Sequence, residues 1–118
     1  MKRILEELNE RIGALGSMVV SSDGLLVAAV VSQETQLDRL AAMGAAILSD
    51  VRRALSRAGM QDFAQCEVAA ERGKVILVQA GKTYLLVMVG PRMQVGPGSV
   101  EIRSAARLVD RAGGLDAA

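Results

Sequence analysis

Leu40-Ala-Ala-Met-Gly-Ala-Ala-Ile-Leu-Ser49 is a run of ten residues without a charge, set in a helical pattern from Gln36 to Ala58. Leu37, Leu40, Ala41, Gly44, Leu48, Val51 and Leu55 recur at steps of three and four and so share one helical face. A second apolar row, Met43, Ala46, Ile47, Ala54 and Ala58, lies beside the first. A sheet covers only one stripe of a helix. The second row therefore needs another cover, and pattern alone leaves two: the rest of its own domain, or a second copy of the same helix. Small residues at 41, 42, 44, 45 and 46 would let two backbones approach closely.

Before this helix, residues 2–14 read as a first helix with Ile4, Leu8, Ile12 and Leu15 on one stripe and Leu5 beside it. Glu7 and Arg11 stand four apart on its wet side, and Gly13 and Gly16 end it. Ser17–Ser21 and Leu25–Val31 are β-prone runs around Ser22-Asp23-Gly24, which makes a hairpin. Asp23 is placed to bond its own downstream backbone. The second run is apolar almost throughout, which predicts cover on both faces at least in part. Thr35 is the expected N-cap of the long helix, with Asp38 near its positive end; Arg52, Arg53 and Arg57 sit at the other.

After the long helix the period returns to two. Gln65–Glu71, Lys74–Ala80 and Thr83–Val89 are strands, separated by the turns Arg72-Gly73 and Gly81-Lys82. The last two read as interior strands and 65–71 as an edge, open to pairing with another chain. The stretch 90–98, rich in Gly and Pro, reads as a loop and a rigid connector. A last helix is expected from Ser99 to Ala112, ended by Gly113-Gly114, with residues 113–118 fraying. Ile102, Ala105, Ala106 and Val109 form its inner face, and Arg103, Arg107 and Arg111 its outer face, partly neutralised by Asp110. One domain spanning 1–118 is expected, in the order helix, two strands, helix, three strands, helix.

Composition narrows the function. The chain has 118 residues, a net charge of +1, one Tyr, one Phe and no Trp. It thus lacks both the overall field that attracts nucleic acid and the aromatic faces that stack on single strands. Histidine is absent, which removes the commonest general base and metal ligand. The single Cys66 makes no internal disulfide and reads as a buried inert thiol. No apolar run follows Met1-Lys2-Arg3, so neither signal peptide nor membrane span is expected, and a cytoplasmic location is inferred.

Three local patterns imitate sites and fail on inspection. Gly81-Lys82-Thr83 lacks the first glycine of a phosphate loop, since residue 76 is Ile, and a strand follows where a helix is required. Gly96-Pro97-Gly98 loses an anion-binding donor to proline. Glu6/Glu10 and Glu67/Glu71 are solvated faces, and Ser21 and Ser22 have no partner base. No catalytic residue, cofactor site or metal site is expected, and the chain reads as no enzyme.

The order of elements, with Val19-Val-Ser-Ser-Asp-Gly-Leu-Leu-Val-Ala-Ala29 after a short helix, the Ala-rich helix at 36–58 and the hairpin from Lys74 to Val89, resembles the roadblock (dynein light chain) family, especially its MglB-like prokaryotic members. The resemblance implies an α+β sandwich of roadblock or profilin-like type: a five-stranded antiparallel sheet with the long helix on one face and two helices on the other. It implies a homodimer joined through the long helix and the third strand, so that two sheets become one. Dimer contacts are then expected at Leu40, Met43, Gly44, Ile47 and Val51, and along the strand at Cys66, Val68 and Ala70. It also implies a Ras-like small GTPase (MglA-like) as partner, met by the exposed helices around Arg39, Asp50, Arg53 and Arg57. Two other functions fit the pattern: a scaffold or motor-complex light chain without effect on hydrolysis, and a small-ligand sensor.

Overall fold

The computed structural model describes residues 1–31, 37–60, 65–93 and 95–117, without the side chains of 37–39, 95, 97–99 and 114–117. The elements are α1 (Lys2–Ile12), β1 (Gly16–Ser21), β2 (Leu26–Val31), α2 (Leu37–Arg57), β3 (Cys66–Ala70), β4 (Gly73–Ala80), β5 (Thr83–Val89) and α3 (Val95–Ala117). All five strands form one antiparallel sheet in the order β2-β1-β5-β4-β3. The chain folds as the expected α+β sandwich.

Alternation along the central strands decides which layer each helix covers. Met18, Val20, Leu77, Tyr84 and Leu86 point to one face, where Ala41, Ala45 and Leu48 of α2 pack on them. Val19, Ile76, Val78, Leu85 and Val87 point to the other, beneath Leu5 and Leu8 of α1 and Ile102, Ala105 and Val109 of α3. Both clusters are buried from solvent. Ser17 is the one buried polar residue among those described, and its hydroxyl donates to the Leu5 carbonyl at 3.5 Å.

The turns follow from local chemistry. Gly13 ends α1 in the left-handed conformation, φ 69°, and its N–H bonds the Asn9 carbonyl. In the β1–β2 turn Gly24 takes φ 87° and stands against Ala42 and Ala45 of α2. The downstream backbone is held there by Ser21, whose Oγ accepts the Leu25 N–H at 3.1 Å, so serine takes the role expected of Asp23. The turn between β3 and β4 is Glu71-Arg72, one residue earlier than expected, with Ala70 paired to Gly73. Gly81-Lys82 turns between β4 and β5, as the failed phosphate-loop pattern required.

β2 is an edge strand with a bulge opposite Val19 and Val20, where Val27 is 49% exposed; Ala28 and Val30 pack on the α1 side and Leu26 and Ala29 on the α2 side, so the expected partial cover of both faces holds. Several other expectations are corrected. On α1 the buried positions are Leu5 and Leu8, whereas Leu15 lies beyond the helix and is exposed. Glu7 pairs with Arg3 at 3.4 Å, in place of Arg11. Gly16 belongs to β1. α3 starts at Val95 and takes Gly96-Pro97-Gly98 into its first turn, where the missing proline N–H has no helical acceptor to lose. It runs through Gly113-Gly114 to Ala117; Gly113 keeps a negative φ, and without a left-handed residue the helix is not capped there. The expected Thr35 cap lies outside the described residues.

Gly44 is turned toward the sheet. A side chain there would meet Leu86 Cδ1 at 3.0 Å and Leu77 Cδ2 at 3.3 Å. Gly44→Leu should therefore lower stability by about 1–3 kcal/mol through overpacking, although leucine is the better helix former by about 1 kcal/mol. A urea midpoint that rises would show the helix–sheet spacing to be looser than this.

Candidate interaction surface

α2 is 21 residues long, roughly 32 Å at 1.5 Å per residue. Its two apolar rows have different fates. Ala41, Gly44, Ala45 and Leu48 face the sheet and are buried. Leu40, Ile47, Val51 and Leu55 are half-buried, and Met43 is 56% exposed. Ala46, Ala54 and Ala58 are exposed. The small residues at 41, 44 and 45 thus serve close approach to the helix's own sheet, and Ala42 makes room for the turn at Gly24.

The partly covered flank leans toward one edge of the sheet. Leu40 and Ile47 join Cys66, Val75 and Met88 around the α2-side core. By register Cys66, Val68 and Ala70 lie opposite Leu77, Val75 and Gly73, and so on the same sheet face as α2. β3 is the last strand on that side, as expected from sequence. Val68 is 39% exposed, Ala70 is exposed, and Cys66 is half-buried where full burial was expected, because an edge strand has chain on one side only. These residues form an apolar strip on the α2 face of the sheet, partly covered on α2 and open on β3, the strand at the sheet's edge.

Of the twelve positions expected to make contacts, the structure gathers Leu40, Met43, Ile47, Val51, Cys66, Val68 and Ala70 on this strip. Gly44 is set apart beneath the helix. Asp50, Arg53 and Arg57 are exposed along the outer row of α2, and Asp50 and Arg53 pair at 3.5 Å. With 63% and 78% of the two side chains open to water, that pair adds little stability. Arg39 occupies the same row by position; its side chain is not among those described. Arg52 departs from the expected cluster altogether. It folds back over the Tyr84 ring, 5.6 Å from the centroid, and donates to Gln79 Oε1 at 2.6 Å. Only the tertiary crossing of α2 over β4 and β5 brings these three together, so no sequence spacing could have announced them. Among the described residues no group of three or more His, Cys, Asp or Glu could hold a metal, and no helix is long and apolar enough to cross a membrane.

The class is thus an α+β sandwich with an open sheet edge and a half-covered amphipathic helix beside it. Residues 2–89 match the Roadblock/LC7 domain, and the chain belongs to that family. It is 31% identical over 107 residues to uncharacterized protein MJ1340 of Methanocaldococcus jannaschii, covering 91% of this chain and 94% of the relative. A Roadblock/LC7 domain from Streptomyces avermitilis superposes with a TM-score of 0.87 at 21% identity, covering 95% of this chain and 96% of that one. Myxococcus xanthus MglB also gives 0.87, at 16% identity and 95% and 93% coverage. At these identities the two structures bear on the fold alone.

Proposed function

We propose that this protein is a homodimeric interaction module that binds a Ras-like small GTPase and modulates its nucleotide cycle. One observation supports the dimer: Met43, on the helix the fold is built around, is 56% exposed, and Val68 on the edge strand β3 is 39% exposed on the same side of the sheet. Pairing two β3 edges antiparallel satisfies their backbone groups, and laying two α2 flanks together removes Leu40, Met43, Ile47 and Val51 from water. The outer rows of the paired helices, with Asp50, Arg53 and Arg57, then form a charged platform for the partner. Membership in a family of interaction domains supports the partner class. Catalysis would remain the GTPase's own, with this protein positioning its residues.

Capture from extracts of the source cell, scored for a small GTPase, followed by single-turnover GTP hydrolysis with and without this protein, tests the proposal. The expected result is a bound GTPase whose hydrolysis rate changes. A GTPase bound at unchanged rate supports the scaffold function instead. Capture of no GTPase contradicts the proposal.

A further inference from the structure

The other face of the sheet carries a second surface, built on α3 and independent of the α2 seam. α1 lies over β1 and β2 and α3 over β5 and β4, which leaves β3 uncovered on this side. By register Glu67 and Ala69 face this way, and both are exposed. The flank of α3 turned from α1 therefore overhangs open sheet. Between it and the end of β4 lies a cleft of about 310 Å³, walled by Arg103, Arg107 and Asp110 and floored by Val78 and Ala80. The β4–β5 turn closes one end: Gly81 stands so near the Asp110 carboxylate that no side chain fits between them, and this turn carries the exposed Lys82.

Charge decides what suits the trough. Arg103, Arg107 and Arg111 recur every four residues, about 6 Å apart along the helix. All three are exposed, and none has a carboxylate within ion-pair distance among the described residues. Glu67, outside the cleft on β3, is engaged by Lys74 at 3.6 Å. Two guanidinium groups, Arg103 and Arg107, thus wall the cleft beside one carboxylate, Asp110, with the exposed Arg111 and Lys82 next along the helix and the turn. The surplus is local, since the whole chain has a net charge of only +1. Guanidinium groups in such a row match carboxylates presented at the same repeat.

We propose that this trough docks an acidic segment of a partner protein, with Asp or Glu repeated about every 6 Å, as on one face of a helix with i,i+4 spacing. Asp110 in the cleft wall repels a continuous phosphate backbone. The one Tyr is buried on the α2 side, so it offers no stacking face to single-stranded bases here. A bilayer meets crests, whereas these arginines wall a hollow.

The test is fluorescence anisotropy with the full chain and a fluorescein-labelled alanine-based helical peptide carrying Glu at every fourth residue. Binding that weakens with added salt is expected, and Arg103→Glu with Arg107→Glu should weaken it by about tenfold or more. Arg3→Glu on α1, 89% exposed and outside the cleft lining, should leave affinity unchanged. Thermal melts verify that the variants fold. Absence of binding overturns the proposal, as does an equal loss in the Arg3 variant. So does equal affinity for duplex DNA, or for phosphatidylcholine vesicles containing one-third phosphatidylserine. Because the α2 seam is untouched, dimerisation measured on the same samples reports separately on that surface.

Discussion

Met43→Glu is expected to convert the protein from a dimer into a folded monomer. In a lone chain this side chain is 56% exposed, so a glutamate there meets water and disturbs no packing. In the seam it would be buried against its symmetry mate's apolar flank. An uncompensated buried charge costs roughly 3–5 kcal/mol, and a two-fold axis doubles the insult. A loss of that size exceeds a hundredfold in the dimer dissociation constant, since each 1.4 kcal/mol is about tenfold. Size-exclusion chromatography with light scattering reads the mass, and far-ultraviolet circular dichroism reads the fold. Ile47→Glu is a blunter probe, because Ile47 is half-buried against its own core and would lose fold stability as well. If Met43→Glu remains a dimer, the seam lies elsewhere.

Leu85→Ala should have the largest effect on folding. Leu85 lies on β5, between β1 and β4, and is fully buried beneath α1 and α3. Truncation removes three carbons' worth of buried surface and leaves a cavity that two central strands cannot collapse to fill. A loss of about 2–5 kcal/mol is expected, a large share of the roughly 5–15 kcal/mol that holds a domain folded. Urea denaturation of wild type and variant measures it; a loss under about 1 kcal/mol would mean the core repacks freely.

The fold was legible wherever a period met a stop. β4 and β5 alternate on both sides of Gly81, and Gly81 accepts the φ of 64° that a tight turn needs. α2 was legible by its apolar rows, but its orientation was not: the two rows adjoin, and periodicity does not say which of them meets the chain's own sheet. Gly44 belongs equally to either arrangement by pattern, and only the fold places it under the helix, against Leu77 and Leu86. The length of α3 is hidden at both ends for one reason. Gly and Pro are helix breakers by propensity, yet Pro97 stands in the first turn, where helices tolerate it, and Gly113 keeps helical backbone. Arg52 over Tyr84 and the cleft beside Asp110 depend on which strands neighbour which helix, a tertiary fact with no local signature.

The proposed dimer rests on one physical imbalance: apolar residues on α2 and β3 that a single chain leaves partly in water. Sedimentation equilibrium of the wild-type protein across a wide concentration range tests it most directly. A mass twice that of one chain, held down to low micromolar concentration, is the expected result. A mass of one chain throughout, in a protein that stays folded and soluble, would contradict it.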